Sequence, residues 1–205
     1  MKKTQKALLL ILCVALCAVM VSCGTGGKVP ADGLGVPTFA VGEWATYYDS
    51  TSDGGSCTAE LTSVEEVIDG VTVTTHTVVG NVTAKFQYGY AGWTCNPDEA
   101  TLALLKTAKG FSFKILGDGK RYTFKYKTSD ITDHAYFEYS FNTEPGEVLT
   151  IEIPLGFLMQ ASWGIPRRLN MANVFAIEWQ THESWRRDPE VNPFEIKIWD
   201  FYVYN

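Results

Sequence analysis

The sequence predicts an all-β fold, an antiparallel β-sandwich carrying one short helix. Three observations support this. From Phe39 onward the chain is a series of short runs rich in β-branched and aromatic residues, each bounded by turn residues. Several runs alternate apolar and polar positions, as strands with one buried face do. A single segment, Asn96 to Gly110, carries helical signals instead. Many closely spaced strands with one minor helix is the pattern of two packed sheets.

In chain order the expected strands are Glu43–Tyr48, Thr58–Val64, Val71–Val79, Val82–Tyr90, Phe111–Leu116, Tyr122–Lys127, Ala135–Asn142, Val148–Ile153, Val174–Trp179 and Phe194–Tyr204. Val71–Val79 is mostly Val and Thr, whose branched Cβ atoms suit a pleated surface. Asp69-Gly70 and Asp118-Gly119 are hairpin-turn dipeptides, since two-residue turns need positive φ. In the helical segment, Asn96 can cap the first turn and Pro97 suits its first position. Asp98 and Glu99 complement the positive end of the helix dipole, with Lys106, Lys109 and Gly110 at the other end. Over residues 121–127, Tyr122, Phe124 and Tyr126 share one face, and Arg121, Thr123, Lys125 and Lys127 share the other. Phe137, Tyr139 and Phe141 likewise alternate with Tyr136, Glu138 and Ser140. The first set of each strand is expected in the core and the second in water.

The N-terminus is a different kind of segment. Lys2, Lys3 and Lys6 precede the apolar run Ala7–Val21. That run is about 15 residues, short of the ~20 a membrane-spanning helix needs. A basic start and a short apolar stretch describe a secretory signal over residues 1–22. Met20-Val21-Ser22-Cys23 resembles the cleavage site of a bacterial lipoprotein, which makes Cys23 the lipidated first residue of the mature chain. An ordinary signal cut nearby, leaving Cys23 free, is the alternative. Residues 23–38 are Gly- and Pro-rich and read as a flexible tether, followed by the sandwich domain over 39–205. The expected location is the bacterial cell envelope, on its periplasmic or extracellular face, with the membrane as a partner through the lipid. Each buried CH₂ of an acyl chain contributes about 0.8 kcal/mol, so several chains anchor where one barely does.

Charge and cysteines narrow the function further. The chain has 17 Lys and Arg against 23 Asp and Glu, a formal −6. Residues 1–22 hold three lysines and no acid, so the mature chain keeps 14 against 23, a formal −9. Such a balance argues against nucleic acid as a partner and against a polybasic grip on anionic lipid. Of five cysteines, Cys13 and Cys17 fall in the signal and Cys23 takes the lipid. Cys57 and Cys95 remain, and a disulfide is the default for a pair in an exported chain. It would close a loop of roughly 39 residues, worth about 3–4 kcal/mol. Two separate buried thiols are the alternative. Neither has a CxxC neighbour, which argues against thiolate metal binding.

Four stretches in order carry a family resemblance. These are Gly42-Glu43-Trp44 through Asp49 with Asp53-Gly54-Gly55-Ser56, Lys109 through Tyr122 around Gly117-Asp118-Gly119, Ile151-Glu152-Ile153-Pro154, and Pro193 through Asp200. Together they resemble the complex I intermediate-associated protein 30 family, which is related to the family 11 carbohydrate-binding modules. The resemblance covers roughly residues 42–204 and implies a galactose-binding-like jelly roll. Intracellular assembly factors belong to this family, and an exported, tethered chain departs from them toward the glycan-binding side.

In related modules the ligand lies across the exposed concave sheet. By alternation Arg121, Lys125, Tyr136, Glu138, Glu178 and Gln180 project away from the core here. Trp163 and Trp185 lie in the loops Gln160–Asn173 and Thr181–Asn192, which can overhang that face. Flat rings lie under pyranose C–H surfaces, and planar polar groups pair with hydroxyls. These eight are the candidate ligand-binding residues. Related jelly rolls also hold a structural calcium near the chain ends. Asp200 matches its usual carboxylate, with Glu43 and Asp49 as candidates to join it. Catalysis finds no motif: there is no GxSxG, HExxH or Walker loop, and His76, His134 and His182 are scattered. His76 reads as an outward strand position. The expected function is therefore a non-catalytic carbohydrate-binding module, binding a polysaccharide or oligosaccharide, anchored through Cys23. An envelope interaction or assembly protein, with envelope proteins as partners, is the rival.

Overall fold

The computed structural model describes residues 43–49, 54–182 and 192–204. The expected signal, Cys23, the tether over 23–38 and Trp185 lie outside the described residues. The strands are β1 (Glu43–Tyr48), β2 (Thr58–Ile68), β3 (Val71–Val82), β4 (Tyr90–Asn96), β5 (Gly110–Leu116), β6 (Arg121–Thr128), β7 (Phe137–Asn142), β8 (Val148–Pro154), β9 (Met159–Gln160), β10 (Val174–His182) and β11 (Asn192–Tyr204). Helix α1 spans Glu99–Leu105. Two sheets form, a six-stranded one in the order β1-β4-β10-β6-β7-β9 and a five-stranded one in the order β2-β3-β11-β5-β8. Every pair of named strands is antiparallel. Among the described residues this is the all-β sandwich with one short α-helix that the sequence predicts.

The alternation holds where it was clearest. Tyr122, Phe124 and Tyr126 are fully buried, and Phe137 and Phe141 nearly so. Trp179 of β10 is fully buried among aromatic rings from both sheets. It stacks on Trp93 at 6.0 Å and meets Phe124 at 5.3 Å, Phe113 at 5.6 Å and Phe201 at 5.7 Å edge-on. Edge-to-face and offset contacts of this kind add about 0.5–1.5 kcal/mol each beyond the area they bury.

Several expectations are corrected. Residues 83–89 form turns rather than a strand, closed by Gly89 N–H donating to Phe86 O at 3.2 Å, and the strand lies later, at β4. Helix α1 is capped by Asp98, not Asn96: the Asp98 carboxylate accepts from Thr101 N–H at 2.8 Å. Asp69-Gly70 does close the β2–β3 hairpin, with φ of 51° and 79°. Asp118-Gly119 closes no hairpin, because β5 and β6 belong to different sheets. Its Asp118 carboxylate fastens the crossing instead. Oδ1 accepts from Lys120 N–H (3.2 Å) and Tyr122 O–H (3.0 Å), and Oδ2 accepts from Lys120 Nζ (2.7 Å) and Glu195 N–H (3.1 Å).

Cys57 and Cys95 are not joined to each other; both are buried thiols. Cys57, next to β2 of the five-stranded sheet, is already engaged by Thr83, whose N–H donates to Sγ at 3.2 Å and whose carbonyl accepts from it at 3.7 Å. Cys95 sits in β4 of the other sheet, between Trp44 and Ile177 in register. Burial pushes the Cys57 thiol up to about 11 and the Cys95 thiol up to about 12. His76 faces inward rather than outward: it is buried, stacked on Trp44 at 4.4 Å, with Nδ1 2.7 Å from Ser63 Oγ.

Candidate functional site

The outer face of the six-stranded sheet is built around β6. Register places Lys125 between Glu178 of β10 and Glu138 of β7, and Thr123 between Gln180 and Ser140. Each of these points away from the core, because its neighbours Tyr122, Phe124 and Tyr126 point into it. Glu178 is the hub. Its Oε2 pairs with Lys127 Nζ at 2.8 Å and its Oε1 with Lys125 Nζ at 3.6 Å. Lys125 also donates to Gln180 Oε1, which fixes that amide, and Thr123 and Ser140 hydroxyls meet at 2.9 Å. Glu178 is only 4% exposed and Gln180 8%, so this network is partly desolvated and its charges are held in place. Glu138 lies beside it, and burial pushes its carboxyl above the usual range despite Lys125 and Arg121. Arg121 is exposed at the end of β6.

Rings stand at both ends of this network. On the β1–β4 side, Tyr47 and Tyr90 lie 6.0 Å apart, and Tyr47 O–H donates to Trp179 O at 3.4 Å and interacts with Glu178. Burial, with Glu178 next to it, pushes the Tyr47 hydroxyl well above its ordinary value. Gly92 makes room for that ring: a Cβ there would stand 2.6 Å from Tyr47 Oη and 2.3 Å from Trp179 O. On the β7–β9 side, Lys127 Nζ lies 4.9 Å over the Tyr136 ring and 5.5 Å over Phe175. Tyr136 and Phe175 meet edge-on at 6.3 Å. A register shift between Val174 and Ala176 turns Phe175 out, leaving it 41% exposed. Met159, opposite Glu138, is 69% exposed.

The loop after β9 carries Trp163, whose indole is 68% exposed. Its backbone is tied down. Ala161 N–H donates to Tyr136 O (3.1 Å), Ile165 N–H to Asp133 Oδ2 (2.7 Å), Arg167 N–H to Gln160 Oε1 (2.7 Å) and Gln160 Nε2 to Ile165 O (2.9 Å). Asp133 is held below the usual carboxylate range by the Ile165 and Ala135 N–H groups.

Six of the eight expected ligand residues thus share one face: Arg121, Lys125, Tyr136, Glu138, Glu178 and Gln180. Tyr136 is nearly buried under Lys127 and Phe175, where an open ring was expected. Trp163 stands at the β9 edge, and Trp185 lies outside the described residues. Lys127 belongs with Lys125 by simple alternation. Tyr47 sits two residues from Ala45 on the same face of β1, and Tyr90 was hidden by the misplaced strand. Asp200 sits at a β-bulge with φ 49° and pairs with Lys114 at 2.9 Å. Asp49 is buried and accepts from Cys57 N–H at 2.8 Å, while the Glu43 side chain lies outside the described set. Among the described residues no three His, Cys, Asp or Glu side chains assemble as metal ligands would. No described helix is long and apolar enough to cross a membrane.

Fold and face define a class, an antiparallel β-sandwich whose six-stranded sheet carries a polar network between aromatic rings on the side away from the core. More particularly, the chain belongs to the complex I intermediate-associated protein 30 family, whose model matches residues 37–198. Among solved structures it is similar to an exo-β-agarase, at 10% identity and a TM-score of 0.46, over 78% of this chain and 24% of that one. It is also similar to a variant of a family 29 carbohydrate-binding module, at 14% identity and a TM-score of 0.36, over 80% and 91% of the two chains. A third similarity is to a CBM4 structure, at 14% identity and a TM-score of 0.38, over 78% and 85%. The chain therefore spans about a quarter of the agarase. No curated protein sequence matches it.

Proposed function

We propose that this protein is a non-catalytic carbohydrate-binding module, held at the bacterial cell envelope by a lipid on Cys23. The observation that carries the reading is the outer face of the six-stranded sheet. Its fixed polar network of Lys125, Lys127, Glu178 and Gln180 lies between rings at either end. Prearranged donors and acceptors suit sugar hydroxyls, and rings suit the C–H faces of pyranoses. The exposed Trp163 indole extends that surface. The anchor rests on the sequence around Cys23 alone.

Calorimetry of residues 39–205 against neutral and acidic polysaccharides tests the binding. We expect at least one glycan to bind, and Trp163→Ala to weaken it about tenfold or more without moving the melting temperature. Silence across the panel sinks the reading. Cys23→Ala, expressed in a bacterial host, is expected to move the protein from the membrane to the soluble fraction.

A second reading has its own support. The proteins of this family are described as complex I intermediate-associated, which points to protein partners. Phe157, Met159 and Ile165 are all more than half exposed around the β9 edge, an apolar surface that suits a protein interface.

A further inference from the structure

Resting on the reading of the outer sheet face as a glycan-binding surface, we propose that the glycan it selects carries carboxylates, recognised by Arg167 and Arg168. The first observation is an open surface depression past the end of β6 and before β10, lined by Asp130, Arg167, Arg168 and Asn170. It adjoins Tyr136 through the loop that Ala161 ties to Tyr136 O. Both arginines are exposed, while the backbone beneath them is pinned by Gln160. Of the two acids of the neighbourhood, Asp133 is engaged through both oxygens and Asp130 through Oδ1, its Oδ2 being buried without a hydrogen-bond partner among the described residues. Asp133 accepts two backbone N–H groups, and Asp130 Oδ1 accepts from Asn173 Nδ2 at 2.8 Å. Arg167 interacts with Asp133, and Arg168 has no partner among the described residues. A guanidinium presents a rigid planar fork that matches a carboxylate bidentately. Asn170 adds an amide for a neighbouring hydroxyl.

The second observation is where the charge lies. Strands of the five-stranded sheet carry six carboxylates against Lys114 and Lys197. Strands of the six-stranded sheet carry three carboxylates against Arg121, Lys125 and Lys127. In a chain of formal charge −6, acid is concentrated away from the proposed binding surface. Packed sheets lie about 10 Å apart, so a polyanion meeting the arginines stands a sheet spacing farther from the acidic strands than one meeting the other face.

Matched polymers that differ only in charge test this: polygalacturonate against its methyl ester, and a C6-oxidised β-glucan against the parent glucan. In whichever pair binds, we expect the acid to bind at least tenfold tighter at low salt, with the advantage shrinking as sodium chloride rises. Arg167→Gln with Arg168→Gln is expected to reduce the acid to the level of its uncharged counterpart, leaving that counterpart unchanged. Equal binding of the two members of a pair overturns the proposal, as does a double variant that still prefers the acid, and the broader glycan reading survives both. If none of the four polymers binds, the broader reading falls and takes this one with it.

Discussion

Glu138 is held by two opposing effects. Lys125 and Arg121 favour its charged form, yet burial outweighs them and raises its carboxyl above the ordinary range. A carboxyl whose folded value lies above its unfolded one, about 4.3, contributes stability below that unfolded value. The contribution is lost as pH rises through the folded value, so ionised Glu138 is a burden at neutral pH. Glu138→Gln should raise the melting temperature at pH 7 and leave it unchanged at pH 4. A larger loss at pH 7 than at pH 4 would show instead that the pairing with Lys125 dominates. At this scale the sequence was informative for a simple reason: a residue's facing depends only on alternation. Arg121, Lys125, Glu138, Glu178 and Gln180 all face as alternation demands. What alternation cannot give is how far a side chain is covered. Tyr136 faces outward but lies beneath Lys127 and Phe175, contacts made by residues distant in sequence.

Turns and bulges decide the elements, and here local signals ran short. Asp118-Gly119 has the chemistry of a hairpin turn, but a dipeptide carries no information about which sheet the next strand joins. The crossing depends on long-range bonds from Asp118 to Tyr122 and Glu195. Asp118→Ala should therefore cost about 2–3 kcal/mol, since hydrogen bonds to a charged group contribute roughly 1.5–3 kcal/mol. A lower urea midpoint with an unchanged slope checks this. A shift below a few tenths of a kcal/mol would mean the crossing holds without its carboxylate. β11 hides a similar feature. Ile196 and Ile198 face the core before the bulge at Asp200, and Phe201 and Val203 face it afterwards. The parity of the strand changes partway, which no regular pattern anticipates. β4 was missed because Gly92 weakens its strand signal, although the glycine is what lets Tyr47 lie across the sheet.

For the whole molecule, cohesion comes from rings rather than from a covalent staple. Trp179 gathers Trp93, Phe113, Phe124 and Phe201, drawing on both sheets. Class and overall architecture were legible because many short alternating strands leave few alternatives to a sandwich. The cysteines were misjudged because an even count shows availability, not proximity. That Cys57 and Cys95 stay apart has a practical corollary for how the domain comes into being. The described residues complete their two sheets without a bond between these two thiols. Thermal unfolding of residues 39–205 should accordingly give the same midpoint with and without dithiothreitol, and a fall of several degrees under reductant would mean that a cross-link forms after all.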